Sequence, residues 1–168
     1  MFIESIEEAN LSPDSVEYLN LKGKKLKTFP EDIKAYKNLK ALNLKKNKLD
    51  SIPDWITDLQ KLEILILNDN NFKDVPEIIC SLKSLKILQV GENYLYEIPS
   101  CLGQLNNLEF LDIWSNEISS IPDEISDIKT LQVIDMRVTA TNAKNQEYIK
   151  ELLPNVNLYM SIPCKCGD

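Results

Sequence analysis

Apolar residues recur along this chain with a period of 23 residues. Each of six consecutive segments begins with aliphatic side chains at its positions 1, 4 and 6, in the pattern LxxLxL or a close equivalent. The segments begin, without insertion or deletion, at Val16, Leu39, Leu62, Leu85, Leu108 and Leu131. Self-similarity at a fixed period is typical of repeat proteins, in which each unit packs only against its neighbours.

The spacing of apolar residues changes within each unit. Positions 4 and 6 follow the two-residue period of a strand, whereas the apolar residues at positions 18 and 21 are three apart, as in a helical turn. In five units the apolar residue at position 14 is followed by a proline, which lacks an amide hydrogen and stops the strand from extending. These prolines are Pro30, Pro53, Pro76, Pro99 and Pro122. Each unit is therefore predicted to be a strand, a turn and a short helical segment, and the units stack into a curved solenoid.

Residues 16–130 follow the pattern LxxLxLxxNxLxxIPxxIxxLxx, which resembles the short, 23-residue class of leucine-rich repeat proteins. The resemblance implies an α/β fold, a right-handed solenoid with a curved parallel β-sheet on its concave face and short 3₁₀ or α segments on its convex face. It also implies a binding role, since members of this family mostly recognise other macromolecules.

The ends of the chain depart from the repeat. Residues 2–10 are predicted to form a short amphipathic helix that covers the first unit. After residue 136 the sequence predicts a longer helix ending at Pro154 and a last edge strand around residues 156–160, an order that resembles the C-terminal cap of bacterial members of the family. We predict a single domain, 1–168, with an N-terminal cap in 1–15, five repeats in 16–130, an irregular sixth repeat and cap in 131–160, and a tail in 161–168.

The composition disfavours catalysis and several classes of ligand. The chain contains no histidine, the commonest general base, and its net charge of −7 opposes nonspecific attraction to nucleic acid. No apolar run approaches the length of about 20 residues that a bilayer-spanning helix needs. We therefore predict no enzyme activity, catalytic residue, cofactor, metal site, nucleic-acid partner or membrane partner. The acidic first fifteen residues favour a cytoplasmic location, and export after removal of a leader is the alternative.

Several conspicuous residues have structural interpretations. Asparagines at position 9 of four units are predicted to form a ladder that satisfies buried backbone groups. Trp55 is predicted to pack between neighbouring repeats, with a second binding patch on the outer surface as the alternative. The carboxylates are predicted to be solvated. Cys80 and Cys101 lie on neighbouring units and are interpreted as free thiols that fill small gaps, with a mutual contact as the alternative. A zinc site that includes Cys164 and Cys166 is disfavoured by the absence of histidine. The ladder residues are Asn47, Asn70, Asn93 and Asn116.

The concave face holds the candidate binding residues. If positions 4 and 6 point into the core, positions 3, 5 and 7 point outward. Position 3 is apolar or aromatic in all six units, and Trp114 at position 7 has no structural reason in the sequence. Lateral packing of the position 3 residues within the sheet is the alternative interpretation. The predicted partner-binding residues are Tyr18, Lys22, Lys45, Ile64, Ile66, Ile87, Gln89, Phe110, Asp112, Trp114, Val133, Asp135 and Arg137.

Charge is segregated along the array. Residues 16–61 carry 11 lysines and 6 acidic residues, a net charge of +5, whereas residues 62–130 carry 4 lysines and 12 acidic residues, a net charge of −8. Such a field orients an approaching partner and accelerates encounter. A partner with the reverse arrangement of charge is implied.

We predict a non-enzymatic protein-interaction module or scaffold that recognises a protein or peptide through its concave face. The chain is expected to be a monomer, with a weak homodimer as the alternative. A structural role through self-association, by the last strand or by the concave face, is the second hypothesis. An exported, effector-type binder is the third and least favoured.

Overall fold

The structure is a computed structural model that describes residues 2–163. Its strands form one parallel sheet in which sequence order and spatial order are the same. From β2 to β7, equivalent positions of successive repeats pair with one another, as Leu42 does with Leu65, because the repeat has a constant length. The strands are β1 (Phe2–Ile3), β2 (Tyr18–Asn20), β3 (Ala41–Asn43), β4 (Ile64–Ile66), β5 (Ile87–Gln89), β6 (Phe110–Asp112), β7 (Val133–Met136) and β8 (Asn157–Met160).

From β2 to β7, short 3₁₀ segments return the chain from each strand to the next. Five of them begin immediately after the repeat prolines, which confirms the predicted role of those residues. The α-helices are confined to the two ends of the array, as α1 (Ile6–Ala9) and α2 (Ala143–Leu152). The 3₁₀ segments are Pro13–Ser15, Glu31–Ala35, Asp54–Asp58, Glu77–Ser81, Ser100–Gln104 and Asp123–Asp127.

The core lies between the sheet and the 3₁₀ segments. In β2, β3, β4 and β5 the central residue is buried and both of its neighbours are partly exposed. This pattern confirms that position 4 points inward while positions 3 and 5 face outward. Leu42, Leu65, Leu88 and Leu111 are fully buried and stack in one row through the array.

The asparagines at position 9 form the predicted ladder. The Asn93 side-chain amide donates to the backbone oxygens of Val90, at 3.0 Å, and Leu67, at 3.1 Å, while its oxygen accepts from the backbone N–H of Phe72 at 3.1 Å. Each such side chain therefore ties its own turn to the preceding repeat. In the last repeat Thr139 takes this position, and its hydroxyl donates to Met136 O at 2.9 Å.

Position 8 turns the chain away from the sheet. In every repeat its backbone has a positive φ, including 59° at Lys46 and 53° at Glu92, and only the first repeat has glycine there. Hydrogen bonds to the next repeat hold this conformation. The N–H of Lys46 donates to Asn68 O at 2.9 Å, and that of Glu92 donates to Trp114 O at 2.8 Å.

The N-terminal cap differs from the prediction. Residues 2–10 do not form one helix, because Phe2 and Ile3 pair with Tyr18 and Leu19 and extend the sheet. The helix is limited to α1, and it starts where the Ser5 hydroxyl accepts from the Glu8 backbone N–H at 3.1 Å. The edge of β2 has backbone groups that Phe2 and Ile3 can pair with. The helical periodicity of the sequence does not reveal this pairing.

The interpretation of Cys80 and Cys101 as free thiols is wrong, because these residues form a disulfide. Their Cα atoms are 5.8 Å apart, and the bond links two consecutive 3₁₀ segments on the convex side. Cys164 and Cys166 lie outside the described residues. The prediction for Trp55 is confirmed, since its ring packs edge to face on Phe29 of the preceding repeat with the ring centroids 6.2 Å apart.

The C-terminal cap has the predicted order of helix and edge strand. The Asn142 side chain accepts from the Asn145 N–H at 2.9 Å and starts α2, which buries Ile149 against the last repeat. β8 then pairs with β7, and no strand within residues 2–163 pairs with its other edge. Within residues 2–163, no helix has the length and apolar character needed to cross a membrane.

Candidate functional site

The amino-terminal half of the concave face contains an apolar depression of about 220 Å³. It is centred on Ala41, the smallest side chain in the position 3 row, and Tyr18 and Ile64 form its walls. Ile66 closes it on the side of the next repeat. We call this depression the Ala41 hollow.

Asparagines line the rim of the Ala41 hollow. The Asn20 and Asn43 side-chain oxygens accept from the backbone N–H groups of Lys22, at 3.3 Å, and Lys45, at 2.9 Å. These local bonds orient both amides. The floor and walls are therefore apolar while the rim is polar, an arrangement found in protein-binding hot spots.

Trp114 in the carboxyl-terminal half has a structural reason that the sequence did not reveal. Its indole lies directly over Gly91, the residue at the same position of the preceding repeat. A Cβ atom at residue 91 would lie 2.3 Å from Trp114 Cδ1. Glycine is therefore required here by the close approach of the ring, and the indole stays half-buried in the gap that glycine leaves.

Asp112 lies beside this gap and is buried, which corrects the expectation that the carboxylates are solvated. Its side chain is only 7% exposed. One carboxylate oxygen accepts from the Trp114 backbone N–H at 3.1 Å, and the other accepts from the Asn68 side-chain amide at 2.8 Å. Burial raises the pKa of Asp112, and the hydrogen bond from Asn68 partly offsets that rise.

Asn68 reaches Asp112 across the intervening repeat because Gly91 has no side chain between them. Asn68 is 3% exposed, and its side-chain oxygen has no hydrogen-bond partner. It is the one buried side-chain polar atom without a partner within residues 2–163. We call the group formed by Asn68, Gly91, Glu92, Asp112 and Trp114 the Gly91 cluster.

The nearby cations are paired with other carboxylates. Arg137 donates two hydrogen bonds to Asp135, at 2.9 and 2.6 Å, and lies over the ring of Tyr159. The Lys45 ammonium is 3.6 Å from Glu92, two repeats further along the array. The lysine-rich and acidic regions predicted from the sequence therefore meet at this ion pair.

Only some of the predicted binding residues belong to these two sites. Tyr18, Ile64 and Ile66 surround the Ala41 hollow, whereas Asp112 and Trp114 belong to the Gly91 cluster. Ile87, Gln89, Phe110 and Val133 are partly exposed in the strands β5, β6 and β7. Lys22 lies exposed beyond the end of β2. Sequence reasoning missed Asn68, Gly91 and Glu92, and the only available signal was a glycine beside a tryptophan in the position 7 row.

Comparison with known proteins identifies the family. A family model described as leucine rich repeat matches residues 14–72 and 60–118. The chain belongs to the leucine-rich repeat family. A comparison with curated proteins gives no match. Membership agrees with the solenoid described above. Leucine-rich repeat proteins are typically non-enzymatic binding modules, and the fold therefore suggests a protein-interaction module as the general role.

Two solved leucine-rich repeat structures are similar to this one. LIC12759 of Leptospira interrogans has 28% sequence identity and a TM-score of 0.72, over 86% of this chain and 43% of that chain. Internalin C2 of Listeria monocytogenes has 21% identity and a TM-score of 0.69, over 87% of this chain and 61% of that chain, and supports the fold alone. This leucine-rich repeat chain thus spans less than two thirds of each.

Proposed function

We propose that this leucine-rich repeat protein binds a protein or peptide partner through its concave face. The observation that carries the proposal is the Ala41 hollow, an apolar depression bordered by oriented polar groups on an otherwise regular sheet. Bulky residues occupy the equivalent position in the other repeats, so the fold does not require a small residue here. The hollow suits an apolar side chain of the partner.

The scaffold supports binding because it is ordered beforehand. The strands are joined in one sheet and the asparagine ladder fixes the adjacent turns. A surface ordered before association loses little conformational entropy, so modest contacts yield useful affinity.

The first test fills the hollow. Ala41→Ile introduces the residue found at the same position in the next two repeats, Ile64 and Ile87, and should leave the fold intact. The matched control is Ala35→Ile, an identical exchange at an exposed convex position. Proteins captured from a native extract by the wild-type chain should be retained by the control and reduced at least tenfold by Ala41→Ile. Equal capture by both variants contradicts the proposal.

A second variant tests the other half of the face. Phe110→Ala combined with Trp114→Ala should abolish capture while circular dichroism shows a folded chain. Unfolding of this double variant would mean that the face is structural and would count against a binding role there.

Self-association is the second candidate function. The open edge of β8 is favoured as its site, because Val156, Leu158 and Met160 are only partly buried and line a depression of about 430 Å³. A light-scattering concentration series separates the two candidates. A constant mass equal to that of one chain would exclude self-association, whereas a rise to twice that mass, abolished by Leu158→Lys, would support it.

We propose that the protein is exported, whereas the sequence favours a cytoplasmic location. The Cys80–Cys101 disulfide supports it, because disulfides persist mainly in oxidising compartments. Alkylation of cells before lysis, followed by mass spectrometry of the Cys80 and Cys101 peptides, tests this. Alkylated thiols at both positions would favour the cytoplasm instead.

A further inference from the structure

Two buried acceptors in the Gly91 cluster have no charged donor. The Asn68 side-chain oxygen has no partner at all, and the Asp112 carboxylate has only two uncharged donors, the Trp114 backbone N–H and the Asn68 amide. A buried carboxylate is stabilised best by a direct cation, and a buried amide oxygen is costly without a donor. A positively charged N–H donor would satisfy the amide oxygen and compensate the charge of the carboxylate at once.

The chain's own cations do not meet this requirement. Arg137 donates two hydrogen bonds to Asp135, and Lys45 forms an ion pair with Glu92. Among residues 2–163, Asp112 takes part in no ion pair. Asp135 lies opposite Asp112 in the next strand, and Glu92 pairs with Lys45, so this part of the face carries three carboxylates and two cations.

Trp114 adds an aromatic surface at the same place. Its indole lies over Gly91, next to the Asp112 carboxylate, and remains partly exposed. The face of an indole attracts cations, and the attraction is strongest for a desolvated ammonium or guanidinium group.

We propose that the Gly91 cluster binds a lysine or arginine side chain of the partner, with Asp112 and the Asn68 oxygen accepting from its N–H groups and Trp114 lying against its cationic head. This inference rests on the proposed function, because it assumes a partner on the concave face. It goes further by assigning the chemistry of one of the partner's side chains.

Lys45 is the internal competitor for this position. Its ion pair with Glu92 spans the repeat that carries Asn68, so an incoming cation must displace the Lys45 ammonium or share the carboxylates with it. Removal of Lys45 should therefore strengthen cation binding, whereas a purely structural cluster would show no such gain.

The spacing of the two sites constrains the partner further. The Ala41 hollow lies on β3 and Asp112 lies on β6, three strands apart, or about 14 Å at ~4.8 Å per strand. An extended segment rises about 3.3 Å per residue, so an apolar side chain and a basic side chain about four residues apart would reach both sites.

Selection from a phage-displayed library of random octapeptides tests the inference. Peptides selected on the wild-type chain should carry lysine or arginine at one fixed position, about four residues from an apolar one. For one such synthetic peptide, Asp112→Asn should weaken binding at least tenfold, and Lys45→Met should strengthen it severalfold. Asp127→Asn is the matched control, since it removes an exposed carboxylate from the same repeat on the opposite face. Titration calorimetry gives the affinities.

The outcomes separate the inference from the proposed function. Selected peptides that lose binding with Ala41→Ile but show no basic preference would overturn the inference and leave the concave binding face standing. Failure to select any peptide dependent on Ala41 or Asp112 would count against both. If Asp112→Asn is unfolded by circular dichroism, Lys45→Met decides, and unchanged or weaker binding in that variant would overturn the inference.

Discussion

Asparagine side chains form all of their hydrogen bonds at position 9 of the repeat but not at position 7. At position 9, Asn70 and Asn93 use their side chains fully, because each donates to backbone oxygens and accepts from a backbone N–H of the preceding repeat. At position 7, Asn68 donates to Asp112 but leaves its oxygen without a partner. The first case recurs through the stack and stabilises the fold. The second occurs once, and the proposed cation site is built on it.

The contact between Gly91 and Trp114 makes a residue-level prediction. Gly91→Ala should destabilise the protein, because the added Cβ would lie 2.3 Å from the indole and force it out of the gap. We expect a loss of about 1–3 kcal/mol in the free energy of unfolding. Most of that loss should disappear when Gly91→Ala is introduced into a Trp114→Ala background. Urea denaturation of the four proteins in this cycle measures the coupling, and additive losses would mean that the indole does not occupy the gap.

The buried carboxylate of Asp112 makes a prediction about pH. Burial raises the pKa of Asp112 in the folded state above the ordinary value. The folded protein therefore binds the carboxyl proton of Asp112 more tightly than the unfolded chain does. The resulting stabilisation is fully present below the ordinary pKa of about 4 and is lost as the pH rises through the folded-state pKa.

Asp112→Asn provides the comparison, because asparagine does not titrate. The stability of the wild type relative to this variant should fall as the pH is raised from about 4 and then become constant. Urea denaturation of both proteins at several pH values measures the difference. A difference that grows with pH would show that the carboxylate is stabilised in its charged form instead.

Sequence reasoning predicts the repeated residues well and the single ones poorly. Leu42 and Asn93 are predictable because the same residue type recurs at the same position, so each unit supports the assignment of the others. The burial of Asp112 and the place of Trp114 depend on one missing side chain, that of Gly91, in an adjacent repeat. No periodic signal records such a coincidence, and only the side-chain geometry reveals it.

At the scale of elements, the strands and 3₁₀ segments follow from the repeat while the ends follow from local competition. The repeat prolines mark where the 3₁₀ segments begin, as predicted. Phe2 and Ile3 have helical spacing with Ile6 and Ala9, yet they join the sheet, because the edge of β2 satisfies their backbone groups. An edge strand of two residues is below the length that alternation can detect in a sequence.

The disulfide makes a prediction at the same scale. It connects two consecutive 3₁₀ segments and closes a loop with a sequence separation of 21 residues. Constraint of the unfolded chain by a loop of this length stabilises the folded state by about 3 kcal/mol. Reduction of the wild type, or the double change Cys80→Ala and Cys101→Ser, should lower the free energy of unfolding by about this amount.

Urea denaturation with and without reductant checks the prediction. The double variant serves as the control, because it keeps Cys164 and Cys166 and should be insensitive to reductant. A wild type that is equally stable in both conditions would show that the bond adds nothing to the stability of the array.

At the scale of the whole molecule, the solenoid separates stability from recognition. In β2 to β5 the central residue lies in the core and its neighbours lie on the concave face, so the two properties depend on different side chains of the same strand. Changes at these outward residues therefore need not disturb the stack, whereas changes in the partly buried Gly91 cluster should. This separation allows the concave residues to differ from repeat to repeat while the core residues stay nearly the same. The Ala41 hollow and the Gly91 cluster arise from such differences.

Leu111 and Phe110 provide the direct test, because they are adjacent in β6 and face opposite sides of the sheet. Leu111 is fully buried between neighbouring repeats, so Leu111→Ala should cost about 2–5 kcal/mol by removing contacts on both sides. Phe110→Ala truncates a partly exposed ring and should cost much less while reducing partner binding. Thermal denaturation followed by circular dichroism measures both variants. Because each repeat is stable only against its neighbours, the Leu111 variant should still unfold in one transition at a lower temperature. Equal losses from the two variants would show that the concave row is as structural as the core.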